Sequence, residues 1–177
     1  MARVERKNDG RVLVTLPLSE AILLQSLPAR LRALLENPDF TQRAVARLFP
    51  AAYADSQKDL EYRRLLGDDL QRRKLESVEV FERTLTDSKL WRGKVRLSIR
   101  PEEFDAWLSC VNDLRLTIGA ELDIREETWS KHFDPKSPAA EEMALLHYLS
   151  WLEELLLEAH DPGLRAAAAD EAKPEEP

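Results

Sequence analysis

The sequence predicts a mainly helical α+β domain, with about five helices around a central helix at residues 101–122 and a small antiparallel sheet. Two segments, residues 2–16 and 94–99, show the alternating apolar pattern of strands, and the first contains the turn signal Asn8-Asp9-Gly10. Most of the remaining chain has apolar residues at helical spacing. Its 177 residues are 44% hydrophobic, which suffices for one core.

The N-terminal segment is predicted to form a hairpin that leads into a helix. Val12 and Val14 alternate with Leu13 and Thr15, which suits a strand with at least one covered face, and Pro17 ends the strand. Ser19 is the predicted N-cap of the helix that begins with AILLQSL. Pro28 lies inside the apolar pattern, where it lacks an N–H and crowds the preceding turn, so it should kink or split this helix.

Two further helices are predicted before the third strand. Asp39 is expected to cap a short helix, FTQRAVARLF, which stops at the following proline. A long helix covers about residues 58–85, with a bend or restart near Gly67. On it, Asp68 with Arg72 and Asp69 with Arg73 have the favourable i, i+4 spacing.

The C-terminal half contains the third strand and the two most apolar helices. The strand KVRLSI, residues 94–99, is expected to pair with the N-terminal hairpin. Pro101 and two acids then begin the central helix. An irregular connection at 123–138 precedes a helix at about 139–159. A single globular domain at 1–160 and a disordered Ala/Glu/Pro tail at 161–177 are therefore expected.

The central helix carries polar residues next to its apolar stripe. Arg115 falls within the stripe and Asn112 lies at one margin, so both should need partners. The predicted partners are Asp68 and Asp69 of the long helix, or Glu61 one or two turns earlier, which would form a structural polar network with them. The alternative is that the Arg115 stem lies on the core while its guanidinium reaches water.

Charge and motif content narrow the function classes. The net charge of −7 gives little non-specific attraction to nucleic acid outside a local basic patch. No secretory leader and no membrane-length apolar run is recognisable, so the cytoplasm is the expected location, with no membrane partner. Gly-rich phosphate loops and nucleophile motifs are absent, and the histidines 132, 147 and 160 are scattered. The sequence therefore predicts no enzyme, no metal and no cofactor.

Two groups of basic residues are candidate nucleic-acid contacts. The more concentrated one surrounds the third strand next to Trp91 and consists of Arg92, Lys94, Arg96 and Arg100. The other follows the long helix: Arg63, Arg64, Arg72, Arg73, Lys74 and Arg83. The alternative interpretation of the first group is a solvated strand face balanced by nearby acids.

Cys110, the single cysteine, is the redox candidate. It is predicted at the margin of the central helix's apolar stripe. As a small apolar residue at the edge of a core it would be inert. As a redox sensor it would have to be partly exposed with a lowered pKa.

Two segments resemble a known family. They are AAYADSQKDLEYRRLLGDDLQRRK, with Asp69, Arg73 and Lys74, and the central helix PEEFDAWLSCVNDLRLTIGAEL, above all Asn112-Asp113-Leu114-Arg115. Over about residues 2–160 the chain resembles an actinobacterial family first described as a domain of unknown function and later called the AosR type, for oxidative stress regulators. The resemblance implies a cytosolic protein, often encoded beside the ClpS protease adaptor, that acts in the transcriptional response to oxidants.

Two functional hypotheses follow. The first is a non-enzymatic regulator linked to oxidative stress, acting in transcription control through DNA, the transcription machinery or a second copy of itself in a homodimer. Because Cys110 is alone, a thiol switch would need an intersubunit disulfide, a mixed disulfide or a sulfenic acid. The second is a protein-interaction module without DNA binding, accessory to a ClpS-type proteolytic adaptor system.

Overall fold

The computed structural model describes residues 1–124 and 137–161, and of residues 63–66 the backbone alone. Its elements are β1 (Arg3–Arg6), β2 (Val12–Pro17), α1 (Leu18–Glu36), α2 (Arg43–Leu48), α3 (Ser56–Thr86), β3 (Lys89–Trp91), β4 (Lys94–Ile99), α4 (Pro101–Glu121) and α5 (Ala140–His160). The strands form one antiparallel sheet in the order β1-β2-β4-β3. The predicted α+β, mainly helical class is confirmed.

The sheet packs its apolar face on the helices. In β2 the inward residues are Val12, Val14 and Leu16, and their partners in β4 are Ile99, Leu97 and Val95. The alternate residues face away from this core because side chains in a strand point to opposite faces. On the helical side, α4 contacts α2, α3 and α5, which makes it the central helix that the sequence predicted.

The helix boundaries differ from the prediction at several points. α1 begins at Leu18, one residue before the predicted cap, and continues unbroken through Pro28. Leu24, Leu27, Leu31 and Leu35 are all buried on one stripe across the proline, and this burial offsets the lost backbone hydrogen bond.

The other two helices of the N-terminal half differ as well. α2 is shorter than predicted and starts at Arg43, since Asp39 caps the turn at Thr41 instead. α3 starts at Ser56, where the Asp55 side chain accepts from two backbone N–H groups, and it passes Gly67 without a break.

Two predicted segments fall outside the described residues. They are most of the irregular connection, at 125–136, and nearly all of the predicted tail, at 162–177. The central helix matches its prediction to within one residue, and α5 is shifted by one residue at each end.

Candidate functional site

The third and fourth strands form a hairpin that the sequence analysis recognised only in part. β3, at Lys89–Trp91, was missed, and it pairs antiparallel with β4 at the edge of the sheet. The two residues between the strands, Arg92 and Gly93, have φ angles of 50° and 75°. Two consecutive positive φ values are the requirement of the tight hairpin turn that matches strand twist, so the Arg92-Gly93 pair was the available signal.

This hairpin carries a cluster of cations that form no close ion pair with the described residues, and the electrostatic partner of Arg96 is Glu5 of β1, whose pKa is lowered chiefly by Lys7 and in part by Arg96. Within the described parts of the chain, no carboxylate lies within 4.0 Å of Lys89, Arg92, Lys94 or Arg96. The guanidinium carbons of Arg92 and Arg96 lie 4.9 and 5.0 Å from the centre of the Trp91 ring, which is 43% exposed. We call residues 89–96 the basic hairpin.

A groove of about 620 Å³ lies beside the basic hairpin. It is bordered by the C-terminal end of α3, the N-terminal end of α4, and both hairpin strands. The charged side chains that line it are five cations and two acids: Arg11, Arg83, Lys89, Arg96, Arg100, Asp87 and Glu103. Its apolar wall includes Leu90, which is 73% exposed. The groove therefore offers an anionic ligand both charge and apolar contact.

Glu103 is the acid that organises one wall of the groove. Its Oε1 accepts hydrogen bonds from Arg100 at 2.6 Å and Arg83 at 2.8 Å, and its Oε2 accepts from the Arg100 backbone N–H at 3.0 Å. These hydrogen bonds, led by that of the Arg100 side chain, lower the pKa of Glu103 to about 2. Arg100 also contacts Glu102, so of the four predicted nucleic-acid contacts it is the one neutralised by acids.

Replacing Glu103 with glutamine is expected to lower the free energy of unfolding by about 2 kcal/mol at pH 7. This value is smaller than the pKa shift alone would give, because Arg83 and Arg100 are half-exposed and solvent screens their charges. Because its folded pKa of about 2 lies below the usual 4.5, the stabilisation is present above pH 4.5 and is lost as the pH falls toward 2. Urea denaturation across this range should show the two proteins converging. Glu102→Gln is the control, since Glu102 is exposed, and an equal loss there would contradict the prediction.

The described members of the second basic group are all paired with acids. Arg72 and Arg73 contact Asp69, at 2.5 and 2.7 Å, and Arg83 contacts Glu103. The Asp69–Arg73 pair is thereby confirmed. The predicted Asp68–Arg72 pair is wrong, because Arg72 contacts Asp69 and Glu76 instead. The side chains of residues 63 and 64 lie outside the description.

The polar network predicted for the central helix has different partners in the structure. Arg115 donates from Nε to the Ser150 hydroxyl at 3.0 Å and pairs with Glu153, both on α5, and not with Asp68 or Asp69. Asn112 is exposed. The face of α4 that carries Arg115 is turned toward α5, so the acids of α3 are on the wrong side.

A buried ion pair that joins α3 to α4 was missed. Lys74 Nζ lies 2.7 and 2.9 Å from the two carboxylate oxygens of Asp113, whose side chain is only 4% exposed. Desolvation raises the pKa of Asp113 although Lys74 acts against that shift. The available signal for this pair was the position of Asp113. It lies two residues before Arg115, about 200° around α4, so the two side chains face different neighbouring helices.

Cys110 is fully buried in the core rather than at its margin, so the predicted marginal position is wrong and the partial exposure that a redox sensor would need is absent. Burial, and secondarily the charge of Asp113, raises the pKa of its thiol well above the usual range. The thiolate is the reactive form, and both its formation and its access to oxidants are therefore disfavoured.

We expect Cys110 to stay unmodified when the folded protein is treated with Ellman's reagent or mild peroxide, and to react fully in denaturant. Mass spectrometry and non-reducing gels measure both results, with Cys110→Ser as the control. A Cys110-dependent dimer or sulfenic adduct formed under native conditions would contradict the burial argument.

In residues 1–124 and 137–161, no group of three or more His, Cys, Asp or Glu side chains has the arrangement to hold a metal ion. His147 and His160 both lie on α5, and the His160 ring stacks on Phe104 at 4.2 Å. His132 lies outside the described residues. Of the helices described, none is long and apolar enough to cross a membrane.

Comparison with known proteins identifies a family. A family model with the description "Domain of unknown function (DUF2017)" matches residues 1–160. No curated protein matches the chain, and no solved structure does. The resemblance to a family described as a domain of unknown function is confirmed at that level.

Proposed function

The chain belongs to the DUF2017 family, and we propose that it is a non-enzymatic regulator in transcription control that contacts nucleic acid through the basic hairpin. The observation that carries the proposal is the separation of charge. On a chain of net charge −7, four cations of residues 89–96 have no carboxylate within 4.0 Å among the described residues. Phosphate oxygens are the partners that such a cluster attracts.

The shape of the element supports the same proposal. A two-stranded ribbon is narrow enough to enter the major groove of duplex DNA, and this ribbon lies at the sheet edge with its turn at Arg92-Gly93. Arg92 in that turn and Lys94 directly after it are exposed. The exposed Trp91 ring offers an apolar surface beside the cations.

The link to oxidative stress, and membership of the AosR type, rest on the sequence resemblance of the Asp69 to Lys74 segment and of α4. Buried Cys110 is poorly suited to a thiol switch, so the proposal contains none. Any response to oxidants would come from a partner of this protein and not from its own thiol.

The first test is binding of a short DNA duplex at low salt, followed by titration with salt. Wild type should show an affinity that falls steeply as salt rises, and Arg92→Ala with Lys94→Ala should reduce the slope of log K against log salt concentration by about 2. Arg72→Ala with Arg73→Ala removes the same charge from α3, where both side chains are paired with Asp69, and should leave the slope nearly unchanged.

Two results would overturn the nucleic-acid proposal. One is the absence of salt-sensitive binding at low ionic strength. The other is an equal reduction of the salt slope in the hairpin variant and the α3 variant. That result would indicate that DNA is attracted to any cation on the surface and not to the basic hairpin in particular. In either case the preferred function becomes a protein-interaction module, accessory to a ClpS-type adaptor system. The exposure of Leu90 on an edge strand favours this second candidate.

A further inference from the structure

The outer edge of β3 has the features of a binding edge for another strand. β3 is the last strand of the sheet and pairs only with β4, so within the described chain the backbone groups on its other side have no strand partner. All three of its residues are exposed. The opposite edge strand, β1, lies against α5, to which Arg6 donates a hydrogen bond at the His160 carbonyl oxygen. The two edges of the sheet therefore differ in how they are covered.

The two faces of β3 present different chemistry to an added strand. In the register with β4, Lys89 pairs with Arg96 and Trp91 with Lys94, so these four side chains share one face. Leu90 pairs with the buried Val95, points to the other face, and is 73% exposed. A strand laid along this edge would meet cations on one face and an apolar side chain on the other.

We propose that the outer edge of β3 binds an extended peptide segment of a partner protein whose residues alternate acidic and apolar. Its main chain would extend the sheet, its carboxylates would meet Lys89 and the neighbouring hairpin cations, and its apolar residues would cover Leu90. The adjoining groove, lined by Arg83 and Arg100, gives the segment a continuation past the end of β3.

The charge of the edge selects this partner over a second copy of the chain. Pairing β3 with β3 of another molecule would bring two sets of Lys89, Arg92, Lys94 and Arg96 together, and lysines on edge strands oppose such self-pairing. The same cations attract an acidic strand. The inference does not depend on nucleic-acid binding, because beside the cations it needs Leu90 and the outer edge of β3, which has no strand partner among the described residues.

The probe is a fluorescently labelled peptide of about eight residues that alternates glutamate and valine, measured by fluorescence anisotropy. Leu90→Glu should weaken binding by about tenfold or more, because it puts an anion at the apolar contact. Leu60→Glu is the matched control: Leu60 is 62% exposed on α3, and the change should stay within about twofold. Both positions are exposed, so neither substitution should prevent folding.

Two further measurements separate strand addition from simple charge attraction. A Glu–Pro repeat of the same charge lacks alternate N–H groups and favours a polyproline II conformation, so it should bind much more weakly. Hydrogen exchange followed by mass spectrometry should show slower exchange in residues 88–92 when the Glu–Val peptide is bound. Equal binding of both peptides, or no change in exchange, would overturn the proposal.

The remaining outcomes identify other occupants. If Arg92→Ala with Lys94→Ala abolishes DNA binding while the peptide still binds and Leu90→Glu weakens it, the edge site stands independently of the proposed DNA contact. If wild type is a dimer by light scattering and Leu90→Glu makes it a monomer, a second copy occupies the edge and the peptide proposal is wrong. If Leu90→Glu leaves peptide binding unchanged, the edge is not the site.

Discussion

Replacing Lys74 with methionine is expected to lower the free energy of unfolding by about 3 kcal/mol at pH 7. Lys74 pairs with the carboxylate of Asp113, whose side chain is 4% exposed and lies between α3 and α4. Methionine keeps the length of the side chain but leaves that carboxylate buried without a counter-charge. Urea denaturation followed by circular dichroism measures the loss.

The double variant Lys74→Met with Asp113→Leu should recover most of this stability, since an apolar pair of similar volume replaces a buried ion pair at little cost. Arg72→Met on the same helix is the control: its partners are exposed, so it should change stability by less than about 0.5 kcal/mol. Simple additivity of the two single changes in the double variant would contradict the coupling.

The pH dependence of the Lys74→Met variant follows from the raised pKa of Asp113. A carboxyl group whose pKa is higher in the folded than in the unfolded protein binds protons more readily when folded, so folding becomes less favourable as the pH rises through that pKa. Without Lys74 the pKa should rise further. The deficit of the variant relative to wild type should therefore shrink as the pH is lowered.

The parts of the fold that were predictable are those where one strong pattern determines the element. α4 has proline at its first position, acids in its first turn and an uninterrupted apolar stripe, and its limits were correct to within one residue. β4 alternates buried Val95, Leu97 and Ile99 with outward residues, as its sequence indicates. These signals are local, so the rest of the chain was not needed to interpret them.

β3 could not be predicted from alternation, because a strand of three exposed residues has no buried face to produce it. It forms because the Arg92-Gly93 turn returns the chain onto β4. Because β3 was not predicted, the hairpin was not recognised, and neither was the position of Lys89 opposite Arg96. The candidate residues Arg92, Lys94 and Arg96 were found from composition, whereas their joint geometry depends on a pairing that is not local.

The partners of polar residues in α4 depend on which neighbour each helix face meets. Arg115 and Asp113 lie about 200° apart around α4, so one faces α5 and the other α3. The sequence shows that both need partners but not where the other helices lie. Asp113 lies outside the apolar stripe of α4, and only the packing of α3 reveals that it is buried.

Trp107→Ala is expected to lower the free energy of unfolding by about 4 kcal/mol, the larger of the two stability effects. The Trp107 ring is fully buried and lies 4.3 Å from Phe81 of α3, centre to centre, so it fills the junction between α3 and α4. Truncation leaves a cavity that these two long helices cannot collapse to fill. Trp91→Ala is the matched control, since that tryptophan is 43% exposed and should cost less than about 1 kcal/mol.

Trp107→Phe separates the loss of volume from the loss of the polar group. The indole Nε1 is buried and has no hydrogen-bond partner among the described residues, so phenylalanine removes an unsatisfied donor together with part of the ring. The cost should fall to about 1–2 kcal/mol, because the cavity that remains is smaller and the desolvation penalty of the N–H is gone. A cost equal to that of Trp107→Ala would contradict this expectation. It would indicate that the indole N–H has a hydrogen-bond partner in the folded protein, such as a buried water at the junction of α3 and α4.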